Sequence, residues 1–314
     1  KFYEKFSLHL HLNLSADANP QKLFEGVKFR LTIFIATNSG LGRYSTKYTR
    51  WLADERKNLF NALVRYNSIE DYTYQNIIPK IASPLFISIA RKIKAEKSLY
   101  FIGAGNKKCL YHNAPVNWIR SHSFVPYFCS DRDGEGVTTQ LKSIAFDNEK
   151  QIKTGSCILN SSLFFVWWIT NSDCYHLNKS EIENFRYQYD KDIEKEICSI
   201  ADDLAHDMKE KSVRRVYNYK TTGRVEYDEF YMKLSKPIID EIDKVLARHY
   251  GFTEEELDFI QFLGKTLKQY FSNKKESFDF ELEEVITIMF YYYNSLDEEQ
   301  KNLEEKFFLY TKPI

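Results

Sequence analysis

Seven consecutive apolar residues, Leu163 to Ile169, are walled in on both sides by polar chain. Asn160-Ser161-Ser162 precedes them, and Asn171-Ser172-Asp173 follows, leading through Tyr175 and His176 to Asn178. A membrane-crossing helix needs about 20 apolar residues, so this run has to bury in a protein core. Serine and asparagine ahead of it suit a helix start, because their side-chain oxygens accept from the first unpaired backbone N–H groups. A short helix beginning at Leu163 is therefore predicted. The polar loop after it has to return to the surface, ahead of a second capped element that leads to Tyr187.

The flanking chain reads as a mixture of strands and helices, an α+β class with four segments. Residues 1–40 look like strands: Leu8, Leu10, Leu12 and Leu14 alternate with Ser7, His9, His11 and Asn13. Phe29 to Ala36 is more uniformly apolar and reads as a strand buried on both faces. Residues 41–97 read as a helical linker, with apolar spacing at about 51–65 and 85–97, opened by a basic loop over 40–50. Residues 98–190 carry short strand-like runs and form the α+β portion. From 191 to 314 the chain reads as helical: Ile193, Ile197, Ile200, Leu204 and Met208 recur at helical spacing. Pro237 starts a further helix that Gly251 ends, and Thr253 with Glu256 forms a capping box for the next.

Lysine plus arginine equals aspartate plus glutamate, 44 of each in 314 residues. Autonomous nucleic-acid-binding domains are usually basic, so neutrality demands that any binding charge be segregated. Part of it is: residues 28–120 are rich in lysine and arginine, while acidic residues crowd Asp279 to Glu305. The five cysteines are odd in number and never form a C-x-x-C pair, which fits reduced thiols in a cytoplasmic protein. No signal peptide or membrane span is visible. The first residue is Lys1 and not Met, as expected of part of a longer protein.

Several motifs invite chemistry and have plainer explanations. Gly103-Ala-Gly105 resembles a nucleotide-binding turn, but no third glycine follows at the required spacing, and Lys107 to His112 looks like a returning strand. His9 and His11 share a strand face without a third ligand at a telling spacing, and read as solvated or edge-facing. Glu-x-Lys triplets at Glu55, Glu299 and Glu304 lie on helical patterns, where charges of both signs are expected. No Ser-His-Asp arrangement or activated cysteine stands out. The run Arg43-Tyr44-Ser-Thr-Lys47-Tyr48-Thr-Arg50-Trp51 suits phosphate contacts, and equally an ordinary solvated loop with Trp51 anchoring the next helix.

Four blocks, in order, resemble gamma-class N6-adenine DNA methyltransferases and the single-chain restriction-modification enzymes built on them. The first is Pro20, Leu23, Phe24, Gly26, Val27, Arg30, Leu31 and Ile33, with Asn19 where the family carries arginine. Lys47 to Phe60 and then Ile78-Pro79-Lys80-Ile81 follow. Tyr111-His112-Asn113, Trp118, Leu159 to Phe164 and the helix–Gly251–Thr253 element complete the set. Together they span about residues 15–271. The family's Asn/Asp-Pro-Pro-Tyr/Phe loop and its S-adenosylmethionine glycine motif are both absent.

The resemblance therefore implies the C-terminal part of such an enzyme: the last strands of the catalytic domain plus a target-recognition domain, inactive alone. It implies no cofactor in this chain, and S-adenosylmethionine in the missing catalytic domain, which would lie on the same or a separate polypeptide. The implied partners are double-stranded DNA, that catalytic domain and a nuclease or translocase subunit, with no membrane. Arg43, Tyr44, Lys47 and Arg50, with Lys80, Lys107 and Lys108, become candidate phosphate contacts. Tyr111, Asn113, Trp118, Asp173, Tyr175, His176 and Asn178 become candidates for base or groove contact, the asparagines having the bidentate chemistry that suits adenine. Two other classes stay open: a non-catalytic protein-interaction module, and a complete enzyme using Gly103 and Gly105.

Overall fold

A computed structural model describes residues 5–14, 31–48, 66–70, 72, 77–81, 83–96, 105–115 and 118–271. The described chain is mixed α+β, with three small sheets and a set of packed helices. The predicted helix at 51–65, together with Arg50 and Trp51, lies outside these residues.

The apolar run forms the centre. Helix α2 (Glu149–Asn160) ends at Ser161, and α3 (Ser162–Asn171) begins at once, with the Ser161 hydroxyl accepting from the Phe164 N–H at 3.0 Å. Every residue of α3 is buried. It is therefore a core helix with no wet face, as its composition requires. Around it lie α1 (Pro84–Ala95), α4 (Lys179–Glu183), α5 (Lys191–Glu210), α6 (Lys236–Tyr250) and α7 (Glu254–Phe271). Gly251 ends α6 at φ 65°, a left-handed position that glycine adopts without steric penalty. Thr253 and Glu256 then form the predicted reciprocal cap, at 2.8 and 3.2 Å. No helix among the described residues is long and apolar enough to cross a membrane.

Strands β1 (Leu8–Leu14), β2 (Leu31–Thr37), β3 (Gly42–Ser45) and β4 (Asn67–Ser68) form one sheet in the order β2-β1-β3-β4. Three expectations change here. His9 and His11 are buried, His11 between the rings of His9 and Phe34 with centroids 6.3 Å away on each side, on a strand that is interior and not an edge. Strand β2 takes the edge instead, leaving Ile33 and Ile35 37% and 59% exposed where burial on both faces was expected. Residues 42–45 are a strand and not a loop, since β3 pairs along the free side of β1. Asn13 holds that join by donating from its amide to the Ser45 hydroxyl and the Thr46 carbonyl, at 3.1 and 2.8 Å.

The middle of the chain forms β5 (Lys107–His112), β6 (Ser121–His122) and β9 (Leu141–Phe146), ordered β6-β5-β9. The third sheet was not anticipated. It joins β7 (Phe128–Ser130) and β8 (Gly134–Glu135) to a long hairpin, β10 (Val213–Tyr219) and β11 (Gly223–Glu229), in the order β10-β11-β7-β8. The hairpin interrupts the stretch read from sequence as wholly helical. Val213, Arg215, Tyr217 and Tyr219 alternate along β10, which is the period of a strand.

Candidate nucleic-acid interface

Helix α3 supplies a rigid platform. Phe165 stacks on Trp118 with ring centroids 4.3 Å apart, and Phe164 meets the edge of Phe185 at 5.2 Å. The two indoles reach outward to fix the chain that follows. Trp167 Nε1 donates to the Glu181 carbonyl at 3.3 Å, and Trp168 Nε1 to the His176 carbonyl at 3.0 Å.

The loop on this platform alternates buried and exposed residues, with Asp173, Tyr175 and Asn178 outward, and is tied at nearly every residue. The Asp173 carboxylate accepts from the N–H groups of Tyr175 and His176, at 2.7 and 2.9 Å. The Ser172 hydroxyl accepts from the Cys174 N–H at 2.9 Å. Cys174 itself adopts φ 58°, a left-handed conformation unusual for a side chain with a Cβ, and buries its thiol beside the Ile169 carbonyl. Lys80 clasps the same turn: its N–H donates to the Thr170 carbonyl at 2.9 Å and its ammonium to the Ser172 carbonyl. A lysine at a helix C-terminus also favours the negative end of the helix dipole. On the other flank, the Leu177 N–H donates to the Asn113 carbonyl at 2.8 Å. Tyr175 is left 60% exposed, edge-on to His176 at 4.5 Å between centroids.

The structure thus gathers Lys80, Asn113, Asp173, Tyr175, His176 and Asn178 into one place and redistributes their roles. Lys80 and Asp173 build the loop. Asn178 starts α4, where Glu181 accepts from its N–H at 2.6 Å and its amide at 3.3 Å, which occupies much of its bidentate face. Tyr175 and His176 are the side chains offered outward. Tyr111 and Trp118 are each only 4% exposed, and the Trp118 indole donates to the Asn160 carbonyl at 3.1 Å. They are core residues and leave the interface, because the aromatic platform needs them inside. Lys107 and Lys108 are exposed at the opposite end of β5 from Asn113, roughly 15–20 Å away at the rise of a strand. Lys107 stands 3.8 Å from Glu149. Arg43 and Tyr44 are half-buried within β3, and Lys47 is exposed just beyond it.

Gly105 has a structural explanation independent of nucleotides. A Cβ there would lie 2.3 Å from the Phe146 carbonyl oxygen, so glycine is what lets the two segments approach. His112 and His122 sit beside Arg120, and burial pushes both imidazoles down, His112 to about 3 and His122 well below its ordinary value. They are neutral at physiological pH and carry no charge for a phosphate. Among the described residues no group of three or more His, Cys, Asp or Glu side chains could hold a metal ion.

Many described cations carry carboxylate partners. Arg214 meets Asp228 at 2.6 Å, Arg215 meets Glu229 at 2.7 Å, Arg248 meets Glu196 at 2.5 Å and Lys153 meets Asp202 at 2.7 Å. Among the described residues, these cations are balanced locally. Neither the scan against protein-family models nor the searches of curated proteins and of solved structures found a match to this chain.

Proposed function

We propose that this chain recognises duplex DNA as the target-recognition portion of an N6-adenine DNA methyltransferase in a restriction-modification or phage-defence system. The observation that carries the reading is the loop 172–178, which holds Asp173, Tyr175 and Asn178 outward and is fixed from both flanks and from the helix beneath. Recognition of base edges needs side chains held within a fraction of an ångström, and a loop restrained this way meets that need without ordering on contact. Tyr175 and His176 are the reading residues, with Asn113 beside them, and Lys47 and Lys108 are accessible cations suited to phosphates. The ordered blocks of family resemblance point the same way. The exposed apolar edge at Ile33 and Ile35 suits a sheet that continues in a catalytic domain, which would hold S-adenosylmethionine and receive the flipped adenine.

Selection from a random duplex pool at low salt tests the reading. Enrichment of a single short site by the wild-type chain is the expected result. Binding with no sequence preference, or no binding, would overturn it.

Local charge balance favours a second reading, a non-catalytic protein-interaction module of a multi-subunit defence complex. On that reading the chain captures a nuclease or translocase subunit without DNA, and the random pool yields no site.

A further inference from the structure

The open edge of the β10–β11 hairpin is independent of the DNA reading and has its own logic. Strand β10 pairs with β11 on one side, in a register running from Val213 opposite Glu229 to Tyr219 opposite Gly223. Among the described residues its other side has no strand neighbour. Val213, Val216, Tyr217 and Tyr219 are 39–52% exposed.

Hydrogen-bond parity shows which backbone groups face outward. The Asp228 N–H donates to the Tyr127 carbonyl at 3.2 Å and the Asp131 N–H to the Arg224 carbonyl at 2.9 Å, so even-numbered residues of β11 bond towards β7. Odd-numbered ones then bond towards β10. By the same alternation, the N–H and C=O groups of Arg214, Val216 and Asn218 point to the open edge.

We propose that this edge pairs with the β10 edge of a second copy of the chain, antiparallel, about a two-fold axis through Val216. A two-fold axis perpendicular to the sheet requires like-parity residues to face each other, which restricts the registers. Centring on Arg214 or Arg215 sets two guanidinium groups opposite each other, which is destabilising. Centring on Tyr217 aligns only part of the strand. Centring on Val216 aligns all of it: Val213 faces Tyr219, Arg214 faces Asn218, Arg215 faces Tyr217, and Val216 faces itself. No like charges face each other in this register. This register also opposes outward-facing residues to one another, so Arg214–Asn218 and Val216–Val216 each exchange two backbone hydrogen bonds.

Proteins commonly protect open edges with charge. Here the arginines are already paired with Asp228 and Glu229 of their own hairpin, at 2.6 and 2.7 Å, which removes much of that protection. The interface is small, so association belongs at the weak end.

Sedimentation velocity of the whole chain from ~5 to ~200 µM reads this out. Concentration-dependent dimerisation is expected, and Val216→Lys, which sets two ammonium groups face to face, should weaken it at least tenfold while hydrogen exchange shows the hairpin intact. Separately, Val216→Cys should form an intermolecular disulfide on mild oxidation, since the opposed Cα atoms would lie about 5.5 Å apart. Asn218→Cys, which faces Arg214, should not. A wild-type chain monomeric throughout would overturn the proposal, as would a dimer indifferent to Val216→Lys. So would protection of β10 amides by duplex DNA in a chain that stays monomeric.

Discussion

Asn160 behaves as a piece of strand built from a side chain. Its amide donates to the Ser121 carbonyl at 2.9 Å while its Oδ1 accepts from the Ser121 N–H at 3.0 Å, and its own carbonyl takes the Trp118 indole. One residue thereby joins α2, β6 and the aromatic platform. Replacing it with alanine strands Ser121's backbone groups in the core, so Asn160→Ala should destabilise the fold by about 2–4 kcal/mol in urea unfolding. A loss below ~0.5 kcal/mol would mean the site rehydrates. Asp243 plays the neighbouring part at the start of α3, accepting from the Ser162 and Leu163 N–H groups at 2.9 and 3.4 Å. Burial pushes its carboxyl up to about 7. That exceeds the unfolded value of about 4, so the folded chain holds a proton the unfolded chain has released between those pH values. The stability this contributes is full below about pH 4 and is lost as pH rises through about 7. Asp243→Asn removes the dependence: it should be neutral or stabilising at pH 8, and relatively worse by about 2–3 kcal/mol at pH 5. Parallel pH profiles for the two proteins would contradict this.

At the scale of elements, the conformation of the 172–178 loop depends on Asp173 more than on any other exposed residue. Asp173→Ala removes the shared acceptor of two backbone N–H groups and should cost about 1–2 kcal/mol locally. Hydrogen exchange at Tyr175 and His176 should then accelerate about tenfold or more, with the α3 amides unchanged. Equal protection in both proteins would show that Lys80 and Cys174 suffice to hold the loop. Much of this element was legible in sequence: the serine cap, the buried run, the polar loop and the capped α4 all follow from local chemistry. What was not legible is which polar residues were committed inward. Asn178 and Asp173 look like ligand-binding groups until their backbone partners are known. Trp118 and Tyr111 look like groove contacts until Phe165 stacks on one and burial takes the other. The same limit applies to His9 and His11, since what packs over a sheet face decides whether its polar residues are wet. The hairpin was missed for a different reason. Its alternation is carried by valine, arginine and tyrosine between two strongly helical segments, and helical context outweighed a seven-residue strand signal.

For the whole molecule, on the proposed DNA reading, the described cations already paired with carboxylates contribute little to phosphate binding, and specificity comes from a few positioned groups. That makes the loop the central claim, and it separates two quantities in one experiment. Phosphate contacts set affinity for any duplex, whereas base contacts set the ratio between a chosen site and a scrambled one. The decisive measurement is that ratio, taken by equilibrium binding on the duplex enriched from the random pool, for the wild-type chain and for Tyr175→Ala/His176→Ala. The loop account predicts that discrimination falls at least tenfold in the double variant while affinity for the scrambled duplex stays within about twofold. Unchanged discrimination in a folded double variant would contradict it, and would move recognition away from α3 and its loop.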